Sequence, residues 1–239
     1  MITLLGAHEL SSRAVRARTT CLTWTLLVVM VSAVGCTTSR SAADQPEAPG
    51  PTTGSSSPGT SQTVAAVDDL VIAPEAQAET YDRELFGSGW IDTDGDGCDT
   101  REEVLIAESI TPAQVDPYGC HVIAGDWVSV YDGEETADPS DFDIDHVVAL
   151  GEAWRSGASA WTPEQRLAFA NHLDDPAALI AVTASTNRSK GDRDPASWQP
   201  PNRDAWCGFA TAWTTVKVQW GLTADQAEVD ALRNMLVGC

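Results

Sequence analysis

Two short runs constrain this chain more than any other part of its sequence. The first, Asp141-Phe-Asp-Ile-Asp-His-Val-Val-Ala-Leu150, alternates Phe142 and Ile144 with Asp143 and Asp145, the pattern of a half-buried strand. A strand's period of two sends the neighbours Asp145 and His146 to opposite sides of the backbone. The second run, Leu179-Ile-Ala-Val-Thr183, predicts a second strand. The polar segment Asn187-Arg-Ser-Lys-Gly-Asp-Arg193 follows, with Arg188, Lys190 and Arg193 close together. An imidazole that titrates near neutral pH, oxygen ligands for a hard cation and clustered basic residues form the inventory that phosphodiester chemistry uses.

The N-terminal third does not contribute to a core. Arg13, Arg16 and Arg18 precede an uncharged apolar run from Leu22 to Val34, which reads as a signal peptide over residues 1–35. The run is too short to span a membrane comfortably. Its end, Ser32-Ala-Val-Gly-Cys36, resembles a bacterial lipobox, so Cys36 is the expected lipidation site and the only membrane attachment. The alternative is cleavage near Ala42-Ala43 and release. Residues 36–78 are rich in Ser, Thr, Pro, Gly and Ala, and predict a disordered tether. The folded domain is expected over 79–239.

Of six cysteines, Cys98, Cys120, Cys207 and Cys239 fall in that domain. In an exported chain an even number predicts two disulfides. Each local unit is flanked by one pair, which favours Cys98–Cys120 and Cys207–Cys239, although four cysteines allow other pairings. No C-x-x-C pair supports zinc. The formal net charge is −21. Such acidity argues against tight nonspecific binding of nucleic acid through bulk charge. The cluster of Arg188, Lys190 and Arg193 offsets this locally.

Asp92, Asp94, Asp96, Gly97 and Glu103 fall at positions 1, 3, 5, 6 and 12 of an EF-hand-type loop, a candidate site for structural calcium. The competing expectation is an acidic turn followed by a helix from Arg101 to about Ser109, with Thr100 and Glu103 as its capping box. Cys120 to Tyr131 predicts two short strands turning at Ala124-Gly125-Asp126. Thr162-Pro-Glu-Gln165 predicts a capping box for a helix inserted between the two central strands. Two helices are expected after Pro201, the second capped at Thr223. The fold class is therefore α+β.

With these residues laid out, the chain resembles the HNH (ββα-metal, His-Me finger) nucleases. More narrowly it resembles exported proteins related to the C-terminal nuclease domain of GmrSD-type restriction endonucleases. Asp143-Ile-Asp-His-Val-Val-Ala-Leu150 is similar to the family's first strand, and Asn187-Arg-Ser-Lys190 to its closing helix. Trp154, Phe169-Ala-Asn171 and Trp198-Gln-Pro-Pro201 agree with the narrower group. The resemblance implies a ββα-metal core with an inserted helical region, small N-terminal strands and two C-terminal helices. It makes His146 the general base, and Asp145 and Asn187 the ligands of one divalent cation, Mg²⁺ or Mn²⁺. Lys190 and Arg188 would meet phosphate charge, with Arg193 and Arg101 as further phosphate-binding candidates. Asn171 or Asp174 would orient His146.

The expected activity is metal-dependent hydrolysis of nucleic acid, DNA favoured, by an exported monomer. An immunity protein would belong to a toxin role, which the sequence does not distinguish from a nutrient role. The alternative is a non-enzymatic, calcium-stabilised cell-surface binding module. A serine hydrolase reading lacks a Gly-x-Ser-x-Gly elbow.

Overall fold

The computed structural model describes residues 66–117 and 119–239. The signal peptide, Cys36 and most of the expected tether lie outside these. The domain begins upstream of Glu79, because Val67 and Leu70 are buried in the main core and Ile72 bridges to Ala224. Glu75 also pairs with Arg155 at 2.8 Å. The small apolar set Val67, Leu70 and Ile72 anchors a stretch whose composition otherwise reads as linker.

Helix α1 (Thr100–Glu108) is capped by Asp99, whose carboxylate accepts from the Glu102 amide. That corrects the expected Thr100–Glu103 box. The Thr100 hydroxyl instead meets Asn171 Oδ1 at 2.9 Å. Strand β1 (Gln114–Val115) pairs antiparallel with β2 (Val122–Ala124), and β3 (Trp127–Val128) with β4 (Glu135–Thr136). The runs on either side of Gly125 do not pair with each other as the sequence implied. The turn between them is fastened to the end of α1, where the Ile110 amide donates to the Asp126 carbonyl at 2.8 Å. The Asp126 amide donates to Ser109 Oγ at 3.1 Å.

The central pair behaves as its alternation predicted. Strand β5 (Phe142–His146) is antiparallel to β6 (Leu179–Thr183), from Phe142 opposite Thr183 to His146 opposite Leu179. Between them lie α2 (Leu150–Arg155) and α3 (Pro163–Ala170), the latter with the predicted capping box of Thr162 and Gln165. Helix α4 (Ala184–Lys190) continues directly from β6. Helices α5 (Trp206–Trp220) and α6 (Gln226–Leu236) close the chain. Asp225, rather than Thr223, caps α6.

Phe142, Ile144, Leu179 and Ala181 on one face of the β5–β6 pair pack with Val104 and Leu105 of α1. The opposite face carries Asp143 and Asp145, beneath α4. A larger core joins Trp154, Phe169, Trp213, Leu232 and Met235. Within it Lys217 is fully buried, its Nζ donating to Glu152 Oε1 at 2.7 Å, Glu228 Oε2 at 2.8 Å and the Thr223 carbonyl at 2.8 Å. Two disulfides, Cys98–Cys120 and Cys207–Cys239, staple the acidic loop to the start of β2 and the start of α5 to the end of the chain. Constraining the unfolded chain in this way is worth about 2–4 kcal/mol per bridge.

Candidate active site

His146 is the last residue of β5, on the face shared with Ile144. Its ring is buried except where it lines a cleft of about 50 Å³ with Arg83, Phe86, Gly87, Gly89, Trp90, Leu150 and Ala170. The Trp90 indole stacks on it, with ring centroids 5.2 Å apart and planes 16° from parallel. His146 Nε2 lies 2.9 Å from the Ala170 carbonyl oxygen. A carbonyl can only accept, so Nε2 is the donor, and the neutral ring keeps its lone pair on Nδ1. Burial pulls the imidazole pKa down to about 3, and the Arg83 and Lys190 charges add to the fall against the Ala170 bond. At neutral pH the ring is therefore uncharged, and it is a weaker base than the imidazole titrating near neutral pH that the sequence led one to expect.

The orienting group for His146 is thus a main-chain carbonyl. Asn171, expected in that role, instead accepts from the Ile91 amide at 3.1 Å and meets the Thr100 hydroxyl. It fixes the loop beside the cleft and does not touch the imidazole. Asp174 lines a separate cleft with Asn171 and Asp92.

Asp145 faces the other way. Its Oδ1 accepts from Lys190 Nζ at 2.8 Å and its Oδ2 from the Tyr131 hydroxyl at 2.7 Å, all buried. Burial pushes its pKa up while Lys190 opposes the rise. Lys190 Nζ also donates to the His146 carbonyl oxygen at 2.8 Å. This overturns the expected role of Lys190 as a phosphate-binding side chain. It is fully enclosed, and its ammonium holds the backbone from which His146 projects.

Asn187 does not join Asp145. Its Nδ2 donates to Asp143 Oδ2 at 3.3 Å, and Arg188 Nε stands 3.6 Å from the same oxygen. The two side chains named for a divalent cation therefore have different partners. Both Asp145 oxygens already hold donors, one of them an ammonium ion that would repel a cation, so Asp145 and Asn187 do not fit that group. Arg188 remains largely exposed, and Arg193 is exposed with its guanidinium on the Ser189 carbonyl. Arg101 donates to the Pro139 and Phe142 carbonyls at 2.9 and 3.3 Å. It clasps the start of β5, at the opposite end of the strand from His146, and is corrected from phosphate clamp to strand anchor.

The acidic loop brings carboxylate oxygens of Asp92, Asp94 and Asp96 within 4.8 Å of one another. Asp92 accepts from the Gly95 and Gly97 amides, and Asp96 from the Cys98 amide. Glu103 has a buried Oε1 with no hydrogen-bond partner among the described residues. Desolvation, then Asp94, Asp96, Asp92 and Asp99, raise its pKa. An unpartnered carboxylate oxygen beside three convergent aspartates fits a calcium ion.

Arg83 and Trp90 are the cleft residues that sequence reasoning missed. They stand far upstream of His146 with no motif joining them to it. The one signal available was an aromatic and a cation on either side of Gly87 and Gly89.

Small antiparallel pairs and helices, stapled by two disulfides, make this a mixed α+β domain with a buried histidine bordering a cleft. A family model for the C-terminal domain of GmrSD restriction endonucleases matches residues 105–235, more than half of the chain. The chain belongs to that family, and membership points to a nuclease-type enzyme. A protein of Arthroderma benhamiae, described as an uncharacterized secreted protein, is 42% identical over 182 residues, or 76% of this chain and 87% of its own. No solved structure matches.

Proposed function

We propose that the domain is an HNH-type endonuclease that hydrolyses phosphodiester bonds of nucleic acid, DNA favoured, with His146 as general base. In this reading β5, β6 and α4 are its ββα core. The observation that carries it is the forced tautomer of His146: the Ala170 carbonyl occupies Nε2, which leaves the Nδ1 lone pair unprotonated on a ring that borders an open cleft. A water in the cleft would give a proton to Nδ1 while its oxygen attacks phosphorus. The bond to the 3′-oxygen breaks, and the leaving alkoxide takes a proton from solvent. Lys190 and Asp145 hold the strand that carries the base. No step runs through a cation at Asp145 and Asn187, because those side chains do not fit one.

Nicking of supercoiled plasmid by the oxidised protein, with Mg²⁺, Mn²⁺ or EDTA and beside His146→Ala, tests this reading. Nicking that the mutant loses is the expected result. A folded wild type that cleaves neither DNA nor RNA under any condition rejects it. The secreted relative supports export of this chain and action outside the cytoplasmic membrane, with Cys36 as the proposed anchor.

A second reading concerns stability. The unpartnered Glu103 oxygen favours a calcium ion held by Asp92, Asp94, Asp96 and Glu103, where it would stiffen the segment between Trp90 and α1. Calcium should then raise the melting temperature of the wild type and not that of Asp94→Ala. An equal response in both proteins removes the idea.

A further inference from the structure

The wall of the His146 cleft is built from a short segment pinned at both ends. At one end Arg166 Nε donates to the Leu85 carbonyl at 3.0 Å, and Phe86 is buried against Phe169 and Trp154. At the other end the Ile91 amide donates to Asn171 Oδ1 at 3.1 Å. Between them Gly87 (φ 108°) and Gly89 (φ 135°) take backbone conformations that L side chains rarely adopt. A Cβ on Gly87 would come within 2.6 Å of the Leu167 side chain. The two glycines let one short segment bring Trp90 onto His146 and Arg83 to the rim.

Arg83 is the only cation among the residues lining this cleft. It is exposed, and among the described residues no hydrogen bond or ion pair engages its guanidinium. The other described arginines are all engaged. Arg101, Arg166 and Arg193 hold carbonyls, Arg155, Arg188 and Arg233 hold carboxylates, and Arg203 lies over Trp206. In a chain of net charge −21, an arginine left unpaired beside the base is poised for an anion from outside the chain.

Resting on the endonuclease reading, we propose that Arg83 binds a non-bridging oxygen of the scissile phosphate, across the cleft from His146. Trp90 forms the wall between them. A cleft of about 50 Å³ has room for a water or a phosphate oxygen. A phosphate contact of this kind positions the backbone and does not itself read base sequence. The guanidinium fork matches two phosphate oxygens, which a lysine cannot reproduce.

The test uses the full oxidised chain carrying His146→Ala, so that substrate is not consumed. The readout is fluorescence anisotropy with a labelled DNA oligonucleotide. Adding Arg83→Gln should weaken binding about tenfold or more, from the usual worth of a charge-assisted hydrogen bond. Arg83→Lys should recover part of that loss, and Arg203→Gln, which does not line this cleft, should change binding less than about threefold. Arg83→Gln binding within about twofold of its parent overturns the proposal, as does an absence of saturable binding by the parent. Plasmid cleavage, measured separately, decides the parent reading. A wild type that binds through Arg83 but cuts nothing rejects the nuclease and keeps the anion site. One that cuts equally well as Arg83→Gln does the reverse.

Discussion

The two faces of the β5–β6 pair hold chemically similar residues in opposite states. Around Asp145 the polar groups are answered from within, as Lys190, Tyr131 and Asp145 satisfy one another out of contact with water. On the His146 face one ring nitrogen is answered and the ring edge opens onto a cleft rimmed by an unpaired arginine. Adjacent positions in one strand thus separate a closed polar cluster from a ring that borders a cleft. A histidine can be held in one tautomer only if its strand is fixed, and the buried pair behind it does that fixing.

The largest expected effect is on the open face. His146→Ala should reduce nicking by about 10²–10⁴-fold, the usual contribution of a positioned general base. Because the ring is buried and its loss unpairs the Ala170 carbonyl, both proteins are compared at a temperature where each is folded. Residual activity within tenfold would move the base elsewhere.

On the closed face the expected loss is in stability. Lys190→Met strands the buried Asp145, and breaking such a pair costs about 3–5 kcal/mol. Thermal unfolding should record a fall of roughly 10 °C for a domain of this size. Activity at low temperature should decline far less than in His146→Ala. A stable Lys190→Met protein without activity would put that ammonium on the substrate and erase the contrast between the faces.

A smaller effect lies under β6. Glu108 Oε2 accepts from the Ala181 amide at 2.9 Å, and burial raises its pKa from 4.5 to about 7, opposed by that bond. The folded state therefore holds this proton more tightly than the unfolded one. Its contribution is fully present below pH 4.5 and is lost as pH rises through about 7. Glu108→Gln should flatten that part of the stability profile, by an amount of order 1–3 kcal/mol. An unchanged slope in urea titrations from pH 4 to 8 would assign the dependence to other groups.

The smallest effect belongs to the half-exposed Asp143 and Asn187 and the exposed Arg188. Asn187→Ala should change nicking by less than about threefold, since it removes only one exposed hydrogen bond. A loss above a hundredfold, rescued by raising the metal concentration, would show that Asn187 holds a cation after all.

The strands β5 and β6 were legible because alternation is a local signal, and the cysteine pairing because each pair brackets one unit. The inserted helix announced itself in Thr162-Pro-Glu-Gln165. What stayed hidden depended on direction and distance. Arg188, Lys190 and Arg193 look like one basic cluster in sequence. At about 3.6 residues per turn, however, Lys190 points inward while Arg188 stays outside. The partner of His146 is a backbone oxygen, which any residue at position 170 supplies and no motif records. Arg83 and Trp90 meet His146 only through the tertiary fold. The beginning of the domain was misplaced because two buried apolar side chains, Val67 and Leu70, and one backbone bridge at Ile72 were enough to dock it.

Lys217 carries a consequence for descent. Its ammonium is shared by Glu152, Glu228 and the Thr223 carbonyl, each from a different stretch of chain. Losing Lys217 alone leaves two buried carboxylates facing each other, whereas replacing all three together by well-packed apolar residues can be nearly neutral. Loss of the lysine ahead of its carboxylates is the disfavoured route. Positions 152, 217 and 228 should therefore be inherited as a single character, retained or exchanged as a set while the residues around them drift.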